Sequence, residues 1–251
     1  MRVARFSRDG ILAYGILDED QLVVLDGHPL LNDYKTTGER LPLASVKLVA
    51  PTLPSKVVCV GLNYAEHAAE AGLDVPAEPA LFLKPSSSVV GNGEAIVWPS
   101  QTERVDMEVE LAIVIGAVAK NVTEADAPGV IWGFTIANDV SARDLQASDV
   151  QWMRAKGFDT FCPLGPWIET DFVPASQRIY GVINGKEVQA STLDDMIFKP
   201  YHLVSYISQQ MTLLPGDVIL TGTPAGYKKL RKGDSVECVV EGIGALASTV
   251  A

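Results

Sequence analysis

A β-rich α+β fold, organised as a β-roll or barrel-like body with few helices, is what this sequence predicts, and three observations carry that reading. Short runs rich in Val, Ile and Leu recur along the chain, punctuated by Gly, Pro and Asn-Gly turn signals. Segments with helical spacing are few and short, which argues against the alternating strands and helices of a doubly wound sheet. Hydrophobic residues make up 47% of 251, enough for one sizeable core plus a small extension and too many for a disordered chain.

Taken in order, residues 1–27 read as a small meander. Strands near Val3–Phe6, Ile11–Ile16 and Gln21–Leu25 are separated by turn clusters at Arg8-Asp9-Gly10, Asp18-Glu19-Asp20 and Asp26-Gly27. Residues 28–55 carry Pro42, Pro51 and Pro54 and read as an extended connection. The boundary near residue 50 divides a small N-terminal unit, 1–50, from a main domain, 51–251. A strand over Lys56–Gly61 runs into a short helix, with Asn63 as its N-cap and Gly72 as its C′ stop. Residues 79–99 give a strand ending at Lys84, a Ser/Gly loop and a second strand; without a G-x-S-x-G elbow, the Ser86–Ser88 run is a loop and not a nucleophile.

The stretch Arg104–Gly116, RVDMEVELAIVIG, reads as one apolar strand. Thr123, followed by Glu124 and Asp126, marks a short helix, and a strand over Val130–Ala137 then delivers Asn138 to Gln146. The segment Trp152–Trp167 is aromatic, Gly/Pro-rich and loop-like; it suits a lid over an anionic ligand or an oligomer interface. Asn184-Gly185 signals a hairpin. Thr192 with Asp195 opens a helical segment whose Leu203, Ile207 and Met211 face the core. A strand over Val218–Thr221 leads into the loop Gly222-Thr223-Pro224-Ala225-Gly226, which is no P-loop, and two last strands follow.

Charge and cysteine usage limit the function classes. A net charge of −11 argues against nucleic acid or an anionic membrane as partner, since both need a basic face. Cys59, Cys162 and Cys238 form no C-x-x-C pair, which suits buried thiols in a reducing compartment. No secretory h-region is seen at the start, and the longest apolar run, Leu111–Ala119, is too short to span a bilayer. A cytoplasmic location is expected.

Three sets of residues carry chemistry. Glu108 and Glu110 are two apart on a strand, hence on one face and roughly 7 Å apart at their Cα atoms. The pair fits either a solvated edge or a divalent cation held by hard oxygen ligands. Asp139, at a strand end, is either a third oxygen ligand or a turn residue. His67 and Glu70, at i and i+3, are neighbours on one helix face; they suit an acid/base dyad or a plain surface pair.

The motifs GLNYAEHAAEAG (61–72), FLKP (82–85), MEVEL (107–111), NDVSARDLQ (138–146), the lysine of AKGFDT (155–160) and MTLLPGDVILTGTPAG (211–226) follow one another over residues 50–251. Together they resemble the fumarylacetoacetate hydrolase family. The resemblance implies a mixed β-roll with flanking helices, usually homodimeric, with a small N-terminal α+β or β-meander domain ahead of it. It implies that Glu108, Glu110 and Asp139 bind Mg2+ (or Mn2+), that His67 and Glu70 form the acid/base pair, and that Lys156 stabilises enolate or oxyanion charge. Lys84, Arg143, Gln146 and Thr223 would bind a small-molecule 2-oxo acid.

Members of this family differ in reaction. Some hydrolyse acylpyruvates, some decarboxylate oxaloacetate-like acids, and others isomerise or decarboxylate hydroxyheptadienedioate-type intermediates of aromatic breakdown. Leu62, where acylpyruvase-like members tend to carry arginine, leans towards the isomerase/decarboxylase type. The shared chemistry is an enolate whose charge a metal-bound 2-oxo carboxylate absorbs. The remote alternative is a catalytically silent metal- or ligand-binding protein.

Overall fold

The computed structural model describes residues 1–31 and 33–251; Asn32, within the expected connection, lies outside the described residues. The fold grows from the strand Val109–Ile115, every residue of which is buried. Leu111, Ile113 and Ile115 point into the main hydrophobic core, and Ala112 and Val114 into a second cluster with Val57, Cys59 and Leu220. Both faces are therefore covered, which is why this stretch reads as a continuous apolar run and not as an alternation.

Val109–Ile115 sits between Ile131–Asn138 and Val218–Leu220, antiparallel to both. The same sheet continues on one side through Val57–Gly61 to Ala80–Lys84. On the other it runs through Cys162–Glu169 into Arg2–Arg8, Ile11–Asp18, Gln21–Asp26 and Lys35–Pro42. A five-stranded sheet holds Lys186–Thr192, Arg178–Ile183, Ser235–Val240, Gly244–Val250 and Ala95–Ile96. Its Ile179, Val236, Val240 and Leu246 close the main core against Leu111, Ile113 and Ile136. Val105–Met107 pairs with Ser141–Ala142 and Lys228–Lys229 in a third, small sheet. The body is mostly β with few helices, as expected. Among the described residues no helix is long and apolar enough to cross a membrane.

Several expectations change. The Arg104–Gly116 strand is interrupted at Glu108, and its halves Val105–Met107 and Val109–Ile115 join different sheets. The Glu108 N–H donates to Asn138 Oδ1 at 2.9 Å and its carbonyl accepts from the Asp139 N–H at 2.9 Å, so Asn138 and Asp139 satisfy this backbone at the break. The lid-like segment 152–167 is a short helix, Met153–Lys156, followed by the strand Cys162–Glu169 inside the large sheet. Lys35–Pro42, expected as connection, is a fourth meander strand, and a ladder from Arg2 and Val3 to Glu169 and Ile168 joins the meander to the large sheet.

The helix expected after Thr123 is a single 3-10 turn at Ala127–Val130, preceded by a Thr123 hydroxyl that donates to the Asp126 carboxylate and accepts from the Asp126 N–H. Thr192 and Asp195 do form a capping box, but it closes on a 3-10 turn, and the helix proper is Pro200–Gln210. Met211 lies past its end. Asn184 and Gly185 turn with φ of 51° and 75°, the positive pair that a two-residue type I′ hairpin requires.

Candidate metal centre and active site

Glu108 stands at the break between two strands, Glu110 lies two residues on in Val109–Ile115, and Asp139 follows the end of Ile131–Asn138. The ladder pairing Val109 with Asn138 brings the three together. One carboxylate oxygen from each lies within 4.8 Å of the others. All three residues are at most 3% exposed, so the solvated-edge alternative does not describe this strand.

Each carboxylate accepts hydrogen bonds from the protein. Glu108 Oε1 accepts from Ser141 Oγ at 3.0 Å and from Arg143 Nη2, and its Oε2 from Lys156 Nζ at 2.7 Å. Glu110 Oε2 accepts from the Gly222 N–H at 2.6 Å. Asp139 Oδ1 accepts from Lys84 Nζ and Oδ2 from Lys156 Nζ, both at 2.5 Å. The glycine-bearing loop after Val218–Leu220 thus offers a backbone N–H to a carboxylate, and that carboxylate belongs to the protein.

The charges are unevenly balanced. Burial would raise the Glu108 pKa, but Lys156 and Arg143 outweigh it and hold this carboxyl well below the usual range. Glu110 goes the other way: burial, then the charge of Asp139, push it well above its ordinary value despite Lys156. Its carboxylate is the member of the cluster whose negative charge most lacks a counter-charge. A divalent cation between these oxygens would supply it. Three hard oxygen donors with no sulfur or nitrogen suit Mg2+ or Mn2+, so the residues present fit the ion that the motifs imply.

Above the cluster, the helix Ala65–Glu70 brings His67 into the same cavity, of about 230 Å³. Leu73 N–H to Ala68 O and Gly72 N–H to Ala69 O close the helix as a Schellman stop, with Gly72 at φ 69°. Asn63 is not the expected cap: Tyr64 occupies that position, and the Asn63 side chain ties Thr221 O and both backbone groups of Phe198 together. His67 Nδ1 has no hydrogen-bond partner among the described residues, and Glu70 Oε2 stands 3.7 Å from it while accepting from the Gly226 N–H. Burial lowers the His67 pKa, against the pull of Glu108 and with the help of Arg143 and Lys156.

Lys156 also lines the cavity. Burial would lower its pKa, yet Asp139 and Glu108 raise it, so the ammonium stays charged. Gln146 and Thr223 are on the wall too: Gln146 Oε1 takes Arg143 Nη1 at 2.5 Å, and Thr223 Oγ1 accepts from Gln189 Nε2 at 2.9 Å. Glu70 stands behind His67 and is not in the lining. Lys84, expected to bind substrate, is placed differently as well. Its side chain is fully buried behind Asp139, bonded to Asp139 Oδ1 and to Val140 O at 3.0 Å, because its strand ends beneath the cluster and not at the cavity mouth.

Several residues at the site escaped the sequence reading. Asp106 takes Arg104 on both oxygens and Arg143 Nε at 2.9 Å, fixing the guanidinium. Its signal was the D-x-E-x-E alternation, in which only the glutamates stood out. Tyr227, directly after the TGTPAG loop, packs its ring against both Arg143 and His67. Trp152, first residue of the aromatic segment expected as a lid or interface, forms another wall beside Phe82, and a Cβ on Gly61 would lie 2.7 Å from its ring.

The chain resembles known proteins along nearly its whole length. A family model described as fumarylacetoacetate (FAA) hydrolase C-terminal matches residues 56–251, and one described as Rv2993c-like, N-terminal matches residues 1–51. The chain is 46% identical over 223 residues to human mitochondrial oxaloacetate tautomerase FAHD2B, covering 84% of this chain and 71% of that protein. It is similar to the crystal structure of 2-hydroxyhepta-2,4-diene-1,7-dioate isomerase from Mycobacterium marinum (TM-score 0.92, 45% identity, 100% and 98% of the two chains covered). Maleylpyruvate hydrolase from Sphingobium sp. SYK-6, solved in complex with manganese(II) ion and pyruvate, also aligns (TM-score 0.82, 28% identity, 100% and 99% covered).

Proposed function

The chain belongs to the fumarylacetoacetate hydrolase family, and from that premise we propose that it is a Mg2+- or Mn2+-dependent enzyme acting on enolisable 2-oxo acids, an isomerase or decarboxylase of the hydroxyheptadienedioate type. The observation that carries this reading is the buried Glu108–Glu110–Asp139 cluster facing one cavity with Lys156 and His67. Glu108, Glu110 and Asp139 would hold the cation, which when bound supplies a Lewis acid for the 2-oxo carboxylate.

The chain's own residues do the rest. Lys156, charged and fixed between two carboxylates, offers a donor to the substrate oxygen that gains negative charge, without reorganising during the reaction. His67, kept neutral by burial, takes a proton from one substrate carbon and returns it to another, with Glu70 close enough to steady the imidazolium that forms in between. Arg143, Gln146 and Thr223 orient the substrate's polar end. Leu62, Phe82 and Trp152 line the remaining wall and limit water, which favours proton transfer and loss of CO2 over hydrolysis.

Similarity to the oxaloacetate tautomerase supports a second reading, keto–enol exchange of oxaloacetate, which uses the same proton relay. Loss of dienol absorbance from 2-hydroxyhepta-2,4-diene-1,7-dioate, compared with enol exchange of oxaloacetate, separates the two. Turnover of the dienol supports the first reading; exchange of oxaloacetate alone supports the second; neither, in metal-loaded protein, contradicts both. The proposal includes a homodimer in the cytoplasm, of which sedimentation tests the assembly.

A further inference from the structure

Lys84 is a fully buried lysine that touches neither the cavity nor solvent. Its ammonium donates to Asp139 Oδ1 and to the Val140 carbonyl, and Asp139 itself is 1% exposed. The other Asp139 oxygen, Oδ2, meets Lys156 on the cavity side. Glu108 and Glu110 repeat this division. Glu108 Oε1 is occupied by Ser141 and Arg143, leaving Oε2 towards Lys156, and Glu110 Oε2 is occupied by the Gly222 N–H. Every carboxylate of the cluster therefore has one oxygen bonded to a group other than Lys156, and the second oxygens of Asp139 and Glu108 share the Lys156 ammonium.

We infer that Lys84 positions Asp139 so that it can give a cation only Oδ2, and that this fits the centre to a small six-coordinate ion and against calcium. The inference rests on the divalent-cation reading proposed above. Mg2+ requires near-octahedral geometry and accepts single oxygens from carboxylates, with substrate and water completing its shell; Ca2+ takes six to eight oxygens and commonly a bidentate carboxylate. To chelate with both oxygens, Asp139 must turn Oδ1 towards the cation and weaken its bond to Lys84, whose other partner is only the Val140 carbonyl. That is the costly way to loosen a buried ion pair. Lys156, which shares Oδ2, keeps Glu108 Oε2 as a second partner. The back bonds of the other two ligands are weaker locks. Arg143 has Asp106 and Gln146 to fall back on, and Gly222 offers a neutral N–H. Lys84 thus sets the denticity, and through it the metal preference, without contacting the metal or the substrate.

The test uses the full-length protein stripped of metal and needs no turnover. Free Mn2+ is measured by electron paramagnetic resonance while Ca2+ competes, in wild type and in Lys84→Gln, with thermal melts to confirm that the variant folds. The expected result is that the preference for Mn2+ over Ca2+ falls about 10-fold or more in the variant, the scale typical of losing a group that orients a ligand. An unchanged preference in folded Lys84→Gln overturns the inference and leaves the metal centre standing, whereas wild type that binds neither ion overturns both. Should the variant not fold, a crystal structure of wild type with Ca2+ decides. Asp139 bound through Oδ2 alone, with Lys84 still on Oδ1, supports the inference, and bidentate Asp139 overturns it.

Discussion

The Arg143 guanidinium lies over the ring of Tyr227, its central carbon 4.1 Å from the ring centroid, and the same ring meets His67 edge-on at 5.5 Å between centroids. One aromatic side chain thus braces both the arginine that holds Glu108 and the imidazole assigned to proton transfer. A partly desolvated cation–π contact contributes about 1–2 kcal/mol. Tyr227→Leu should therefore lower kcat/KM roughly 10-fold, while Tyr227→Phe, which keeps the ring, should stay near wild type. Steady-state kinetics decide, and equal losses in both variants would point to the hydroxyl and not the ring.

Removing a ligand and removing the base should look different. Glu108→Ala takes away a carboxylate and leaves Lys156 and Arg143 without their shared partner; it should abolish every activity and metal uptake with it. His67→Ala should suppress isomerisation or hydrolysis far more than decarboxylation, because losing CO2 needs an electron sink but no base. Product analysis of both variants checks this, and full turnover by Glu108→Ala would refute the metal-site assignment.

Protonation of His67 should set the acid limb of the pH–rate profile. Burial is the largest cause of its lowered pKa, with Arg143 and Lys156 adding to it and Glu108 opposing. The folded value therefore lies below the ordinary value of about 6.5. The neutral, proton-accepting form persists at neutral pH, and activity falls only as pH drops through that lower value. The limb should vanish in His67→Gln; a limb centred above about 6.5 would contradict the assignment.

How much of this was legible in the sequence follows from where each signal lies. Glu108 and Glu110 stand out because alternation on a strand is a local rule, and His67 with Glu70 because i, i+3 spacing on a helix is another. Lys84 was expected at the substrate, and its pairing with Asp139 was not legible, since the two are 55 residues apart and only the sheet brings them together. Cys162–Glu169 was hidden by Pro163, Gly165 and Pro166, which read as loop although tertiary pairing makes a strand of them. Lys35–Pro42 is polar and almost wholly exposed, so it has no buried face to leave a pattern.

Stability should depend on Asp217, buried ahead of the strand that leads to Gly222 and Thr223. Its carboxylate accepts from the N–H groups of Ser55, Lys56 and Leu214, the Ser55 hydroxyl and the Lys56 ammonium. Burial would raise its pKa, but the bonds from Lys56 and Ser55 outweigh it and keep it low. A depressed folded value means that the stabilisation is present above the unfolded value of about 3.9 and is lost as pH falls through the folded one. Asp217→Ala should cost about 3 kcal/mol at pH 7, a fall in Tm of roughly 6–12 °C. Thermal melts from pH 7 to pH 3 should show the gap to wild type narrowing in acid; a constant gap would exclude the carboxylate as its source.

The central question is whether the buried carboxylate cluster is a working divalent-metal centre. The direct measurement is turnover of metal-stripped protein on a dienol dioate, oxaloacetate and an acylpyruvate, with EDTA and then with Mg2+ or Mn2+ restored. Turnover should be absent in EDTA and recover on adding metal for at least one of these 2-oxo acids. Activity that survives complete removal of metal, or protein that takes up no Mg2+ or Mn2+ at all, would contradict it.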